Sequence, residues 1–171
     1  MRILILGVGS ILMRDEGLGV LAIEEMERRF RFPDNVELLD GGTSGIELLS
    51  HIRDRDYLIV IDAIKAGHPA GTVLRVEGED VPARFRMRLS PHQLGISDLL
   101  AAASLTDELP GRMVLFGIEP KIIEVGIGIS DEVRSGMEKL LQAVIEEIRT
   151  SGFVVEDVSQ GTMAVKSRWE R

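Results

Sequence analysis

Short aliphatic runs with almost no polar residue inside them constrain this fold more than any other feature of the sequence. Four such runs occupy residues 2–7, 36–39, 57–62 and 113–118 (RILILG, VELL, YLIVID and MVLFGI). Because apolar residues are nearly continuous in them, the runs are typical of parallel strands that are covered on both faces. A fifth run at residues 72–77 (TVLRVE) alternates better. We therefore predict an edge strand there, antiparallel to its neighbour.

Helical periodicity separates these runs along the chain. Apolar residues recur at helical spacing in residues 17–31, 46–53, 95–105 and 131–150. Asp15 is predicted to cap the first of these helices, and Ser130 the last. Alternating strands and helices predict an α/β fold in which residues 1–171 form a single three-layer domain, with a mostly parallel twisted sheet between helices. Residues from about 152 to 171 lose the pattern and are expected to form a less ordered tail.

Composition removes several classes of function. The chain has 20 Lys and Arg against 28 Asp and Glu, a net charge of −8, which disfavours binding to nucleic acid. It has no cysteine, so disulfides, thiolate metal sites and cysteine nucleophiles are excluded. No apolar run is long enough for a secretory signal or a membrane helix. The sequence therefore predicts a cytoplasmic protein that neither inserts into membranes nor binds nucleic acid.

The first loop begins like a dinucleotide-binding fingerprint. Ligands of open α/β sheets bind outside the carboxyl ends of the strands, and Gly7 and Gly9 follow the first predicted strand. Leu12, however, stands where the third glycine belongs, and Asp15 and Glu16 would repel a phosphate from the following helix. A dinucleotide-binding protein, with Asp40 as the ribose-binding acid, is the less favoured alternative.

Three side chains in the loops after the strands are candidate metal ligands. Glu16 follows the first strand, Asp62 ends an otherwise apolar strand, and His92 lies in a predicted loop that enters the third helix. A carboxylate buried at the end of an apolar strand needs a partner or a cation. Carboxylate and imidazole ligands suit zinc or nickel. Spacing alone does not assemble this site, and a satisfied strand-end aspartate with a capping histidine is the alternative. His51 and His68 are expected on the surface.

Residues 7–19 (GVGSILMRDEGLG) resemble the opening motif of the hydrogenase maturation endopeptidases, G-x-G-N-x-L-x-x-D-[DE]-G-x-G. Members of this family remove a carboxy-terminal extension from the large subunit of nickel-containing hydrogenases. Further segments agree in order: residues 40–43 (DGGT), 60–63 (VIDA), 90–93 (SPHQ), 117–120 (GIEP) and 128–130 (GIS). The resemblance covers roughly residues 1–150. The sequence departs from the motif at Ser10, where the family usually has Asn.

The resemblance implies a site and a reaction. The family's metal-contacting residues fall on Glu16, Asp62 and His92, and the acid of its D-G-G-T motif falls on Asp40, the expected catalytic residue. Asp40 is expected either to act as a general base or to hold the substrate backbone. The implied activity is an aspartyl-type or metal-assisted endopeptidase (a hydrolase) that processes the nickel-loaded precursor of a hydrogenase large subunit, with nickel as the recognition element.

The resemblance also implies where the nickel comes from. It is supplied by the precursor, so the isolated protein is expected to be free of metal or to hold a surrogate divalent ion. The hydrogenase large-subunit precursor is the expected partner. The alternative from another class is a nickel checkpoint module, which would use the same three ligands without hydrolysing anything.

Overall fold

The four aliphatic runs form four neighbouring parallel strands. In the computed structural model, which describes residues 1–86 and 91–159, the strands are β1 (Ile3–Val8), β2 (Phe30–Arg31), β3 (Val36–Gly42), β4 (Tyr57–Ala63), β5 (Val73–Glu77), β6 (Arg112–Ile118) and β7 (Glu156–Asp157). The helices are α1 (Leu18–Arg29), α2 (Leu49–Ile52), α3 (Asp80–Arg86), α4 (Pro91–Leu105) and α5 (Asp131–Thr150). Two 3₁₀ turns, Arg14–Gly17 and Ile46–Leu48, precede α1 and α2.

The main sheet has the strand order β3-β1-β4-β6-β5. β3, β1, β4 and β6 are parallel, and β5 pairs antiparallel with β6 at the edge. The predicted mixed α/β sheet with an antiparallel edge strand is therefore confirmed. The carboxyl ends of β3, β1, β4 and β6 meet at one edge of this sheet, which we call the carboxyl edge.

Helices cover both faces of the sheet, as predicted. On one face, α1 and α5 pack against alternate residues of β1 and β4, such as Ile5 and Ile59. On the other face, α2, α3 and α4 pack against the remaining residues of the same strands, such as Leu6 and Val60. Because both faces of these strands are buried, polar residues do not alternate with apolar ones in their sequences.

Two helix starts differ from the prediction. α1 begins after Gly17 without a side-chain cap, because Asp15 lies in the preceding 3₁₀ turn and its carboxylate is bonded to another loop. α4 begins at Pro91 instead of residue 95, since proline is well suited to the first turn of a helix. The main chain of His92 therefore lies in a helix and not in a loop. The predicted cap of α5 is confirmed: the Ser130 hydroxyl accepts a hydrogen bond from the Val133 N–H.

The segment after α5 returns to the body of the protein. Val155 is buried in the core, and Glu156–Asp157 pairs antiparallel with Phe30–Arg31. The remainder of the predicted tail, residues 160–171, lies outside the described residues. Within the described ranges, no helix combines the length and the apolar character that crossing a membrane requires.

Candidate active site

Glu16 lies in the 3₁₀ turn that follows β1 at the carboxyl edge. This turn packs against β4. It also lies so close to the residue after β1 that a Cβ atom at Gly9 would be 1.8 Å from the carbonyl oxygen of Glu16. Gly9 also has a φ of 121°, a conformation that residues with a Cβ rarely adopt. Only glycine fits there, and its close contact fixes the main chain of Glu16. The Glu16 side chain is 6% exposed.

Asp62 is the last residue but one of β4, the strand next to β1 in the sheet. It is 1% exposed, and its Oδ1 accepts a hydrogen bond from the N–H of Ala63 at 2.7 Å. Because side chains alternate between the two faces along a strand, Asp62 lies on the same face as Val60, which packs with residues of α4. The structure thus brings two nearly buried carboxylates, those of Glu16 and Asp62, to the ends of adjacent parallel strands.

The start of α4 lies at the same edge. Gly95 contacts Gly45, in the loop that follows β3, so closely that a Cβ atom on Gly45 would lie 2.8 Å from the Gly95 Cα. Ile96 of α4 packs in the same core cluster as Val60. The main chain of His92 therefore begins its helix near the loops of the carboxyl edge, on the face toward which Asp62 points. The His92 side chain and Ser90, both parts of the predicted motif, lie outside the described residues.

Asp40 is separated from the two buried carboxylates. In the strand register, Gly7 pairs with Asp40 on one side and with Ile61 on the other, so Asp40 lies two strand spacings, roughly 10 Å, from β4. Asp40 lies on the face of the sheet that also carries Leu38 and Ile61, opposite to the face that carries Asp62. Its side chain is exposed, and Oδ1 accepts a hydrogen bond from the Gly42 N–H at 2.9 Å. Asp40 is thus open to a partner molecule.

Glu16 and Asp62 offer oxygen ligands of the kind that divalent cations bind. Among the side chains that the structure describes, no group of three or more His, Asp and Glu residues is arranged to hold a metal ion. The imidazole of His92 is not one of these side chains. The described part of the site therefore consists of two carboxylates, and a metal ion bound there would take any further ligand from α4 or from a bound molecule.

Comparison with known proteins identifies the family. Residues 20–147 match the family described as hydrogenase maturation protease. The chain belongs to this family. The protease is 46% identical over 153 residues to the Hydrogenase 2 maturation protease of Escherichia coli strain K12, a match that covers 89% of this chain and 93% of that protein. It is 41% identical to the hydrogenase expression/formation protein HoxM of Azotobacter vinelandii, over 90% of this chain and 75% of the relative.

Solved structures show the same fold. The E. coli hydrogenase maturating endopeptidase HybD matches the protease with a TM-score of 0.90 at 43% identity, over 94% of this chain and all of that chain. The [NiFe] hydrogenase maturation protease HybD of Thermococcus kodakarensis matches with a TM-score of 0.71 at 28% identity, over 86% of this chain and 99% of that one. The predicted family, fold and enzyme class, a hydrogenase maturation endopeptidase, are therefore confirmed.

The protease uses a second acid of the opening motif in a way that the sequence did not reveal. Asp15 is fully buried, and its carboxylate accepts hydrogen bonds from the N–H groups of Lys121, Ile122 and Ser130 and from the Ser130 hydroxyl, at 2.6–2.9 Å. These bonds join the loop after β1 to the loop after β6. Asp15 therefore holds the segment that carries Glu16, and its place in the motif was the only sequence signal of that role.

Glu119, the first residue after β6, holds the loop after β4 in a similar way. It is almost buried, and its carboxylate accepts hydrogen bonds from the N–H groups of Ala66 at 2.8 Å, His68 at 3.2 Å and Gly67 at 3.4 Å. These residues lie in the loop that follows β4, four to six residues after Asp62. Glu119 thus orders the chain beyond Asp62, and its place in the segment 117–120 was the only indication of this.

The other two histidines reach the surface, as predicted. His51 is partly exposed on α2, with its Nδ1 3.8 Å from a carboxylate oxygen of Glu37. His68 is exposed, and its N–H donates to Glu119. Neither shares an element with Glu16 or Asp62, so both serve as matched controls for substitutions at His92.

Proposed function

We propose that this protease removes the carboxy-terminal extension from the nickel-loaded precursor of a hydrogenase large subunit. Two relatives support the substrate class. The E. coli relative is named for hydrogenase 2, and the T. kodakarensis structure is that of a [NiFe] hydrogenase maturation protease. In this proposal, nickel reaches the site as part of the precursor and serves as the recognition element.

The observation that carries the proposal is the placement of Glu16 and Asp62. Both carboxylates are more than nine-tenths buried at the ends of adjacent strands. Burying a carboxylate is costly unless hydrogen bonds or a cation compensate for it. Carboxylate oxygens and an imidazole nitrogen form a ligand set that fits nickel. Glu16 and Asp62 would hold the metal together with His92, whose helix starts at the same edge.

This ligand set accounts for recognition of the loaded precursor. Three protein ligands without a thiolate leave coordination positions open and bind a free metal weakly. A precursor that already holds nickel would complete the shell, so the protease would engage only a loaded substrate. Premature cleavage of an empty precursor would thereby be avoided.

The protein's own groups then act on the substrate backbone. Bound nickel would supply a Lewis acid toward the scissile carbonyl or lower the pKa of a water molecule. Asp40, exposed at the end of β3, is placed to accept a proton or to hold the extended substrate chain. Its distance from β4 favours contact with the substrate over direct contact with the metal.

The decisive experiment compares two precursors that differ only in nickel. Purified protease is incubated with nickel-loaded and nickel-free precursor, and intact masses are measured over time. We expect a mass loss equal to the extension only with the loaded form. His92→Gln should abolish the loss and His68→Gln should preserve it, because His68 is exposed and contacts the described structure through its main chain. Cleavage of nickel-free precursor at the same rate would refute nickel as the recognition element.

The same measurement separates the alternatives. A checkpoint module would bind the loaded precursor without any change in mass. A dinucleotide-binding protein would need a phosphate site at the start of α1, but the turn before this helix contains the buried carboxylates of Asp15 and Glu16. Saturable nucleotide binding would nevertheless favour that function.

A further inference from the structure

Two loops at the carboxyl edge are joined into one rigid unit by their main chains. The N–H of Gly126 donates to the carbonyl of Leu12 at 2.9 Å, and the N–H of Arg14 donates to the carbonyl of Gly126 at 3.1 Å. Met13 and Gly126 form a parallel bridge. The buried Asp15 carboxylate adds the bonds to Lys121 and Ile122. The main chain that carries the surface side chains of this unit is therefore held in place.

Large apolar side chains project from this unit into solvent. Leu12 is 61% exposed, Val125 86% and Ile127 85%, and Ile11 and Ile123 are exposed as well. We call these five residues the loop-pair patch. Single exposed apolar residues are common on protein surfaces, but a contiguous group on a rigid support is typical of a binding surface. Rigid support also lowers the entropy lost on binding.

The surroundings of the loop-pair patch indicate what kind of partner it fits. A cavity of about 600 Å³ adjoins it and is lined by Ile122, Ile127 and Ile129 and by five charged residues around them. The charged groups beside it are matched in pairs: Lys121 with Glu132, Arg134 with Asp131, and Arg14 with Glu124. An apolar centre within a polar rim of no net sign is the composition of a protein–protein interface. It does not select a polyanion.

We propose that the loop-pair patch is the docking surface for the folded body of the hydrogenase large-subunit precursor, a proposal that rests on the proposed function above. The patch and the candidate site share the loop after β1, since Glu16 follows Leu12 by four residues. A partner that covers the patch is therefore brought directly to the site. A second copy of this chain is a poorer occupant, because each copy has a net charge of −8.

The test measures precursor binding and precursor cleavage on the same variants. Val125→Ser combined with Ile127→Ser removes the two most exposed members of the patch, and Val154→Ser changes a 76% exposed valine outside it. With nickel-loaded precursor, the double variant should bind about tenfold more weakly and raise KM by the same factor, whereas kcat stays at the parent's value. Val154→Ser should match the parent in all three quantities. Thermal unfolding confirms that the variants fold.

Each remaining outcome has a definite meaning. Equal KM and equal binding for the double variant and the parent would overturn the docking surface while leaving the proposed function intact. The parent could also form dimers that the double variant does not form, while KM is the same for both. This result would assign the patch to self-association and would overturn the docking surface as well. If the parent binds precursor without cleaving it and the double variant does not bind, the docking surface is supported and the proposed function is overturned. Absence of any binding would overturn both.

Discussion

Asp15 accepts two hydrogen bonds from Ser130, one from its N–H at 2.6 Å and one from its hydroxyl at 2.9 Å. The two residues are 115 positions apart in the chain. Ser130 is also the N-cap of α5. One carboxylate therefore connects the loop that carries Glu16 with the start of the longest helix in the described structure.

Asp15→Asn should lower the free energy of unfolding by about 2–3 kcal/mol, because four donors point at a carboxylate and an amide offers only one acceptor oxygen. Urea denaturation measures the effect. Asp98→Asn, an exposed position on α4, should change it by less than about 0.5 kcal/mol. Equal stabilities for the two variants would show that the Asp15 bonds contribute little.

The role of Asp15 illustrates what local patterns cannot reveal. A residue such as Asp just before an apolar helical period is a good candidate for an N-cap, and this interpretation was wrong because the carboxylate is bonded to residues 121, 122 and 130. Contacts across more than 100 positions leave no periodic signal. The buried strands did leave one, since both faces of β1 and β4 are apolar, and the bounds of β1, β4 and β6 were predicted to within one residue. β3 continues three residues beyond its predicted end.

Short elements were missed for a related reason. α3 packs only Val81 and Phe85 into the core and contains Pro82, so its seven residues carry too little helical periodicity. β2 and β7 have two residues each, too few to establish an alternation. At the site, Glu16 and Asp62 lie 46 positions apart, and only the family resemblance associated them. The structure adds the strand order, which places β1 beside β4 and the turn with Glu16 against β4.

A second prediction concerns Glu147, on the opposite edge of the sheet. Its carboxylate accepts hydrogen bonds from the Tyr57 hydroxyl at 2.5 Å, Arg112 at 2.8 Å and Arg75 at 3.0 Å. Burial by itself would raise the pKa of Glu147, but these hydrogen bonds and the two positive charges outweigh burial and hold the pKa below its usual value. Ionised Glu147 therefore stabilises the fold.

The sign of the pH dependence follows from this lowered pKa. The contribution is complete above the unfolded value of about 4.3 and is lost as the pH falls through the folded pKa. Glu147→Gln should cost about 2 kcal/mol of unfolding free energy at pH 7, and the difference from the parent should shrink below about pH 4. Denaturant titrations at several pH values test this, with the exposed Glu146→Gln as control. A difference that stays constant with pH would contradict it.

A third prediction separates a ligand role from a structural role at Asp62. Asp62→Asn should abolish processing of loaded precursor while the unfolding free energy changes by less than about 1 kcal/mol, because the amide oxygen can still accept from the Ala63 N–H. An amide is a neutral and poorer ligand. Intact mass and thermal unfolding measure the two effects, and Asp98→Asn again serves as control. Loss of about 1–3 kcal/mol with processing retained would make Asp62 a structural residue.

A fourth prediction concerns metal content. Because the proposed ligand set is two carboxylates and one imidazole, we expect protease purified without precursor to lose nickel on dialysis against a chelator. Elemental analysis should then find well under one equivalent of nickel per chain. Nickel that survives the dialysis at one equivalent would mean that the protein itself is the tight-binding partner, and that the precursor does not have to supply the metal.

A fifth prediction assigns Asp40. Asp40→Asn should leave the fold intact, since the side chain is exposed and an amide oxygen can replace the acceptor of the Gly42 N–H. If Asp40 takes a proton during cleavage, the variant should bind loaded precursor as the parent does while kcat falls at least about a hundredfold. If Asp40 holds the substrate backbone, binding should weaken together with cleavage. Glu37→Gln, earlier on the same strand, is the matched control because its carboxylate contacts Arg55 and His51 and lies away from the carboxyl edge. Parental binding and parental kcat for Asp40→Asn would remove Asp40 from the site, even with the family membership unchanged.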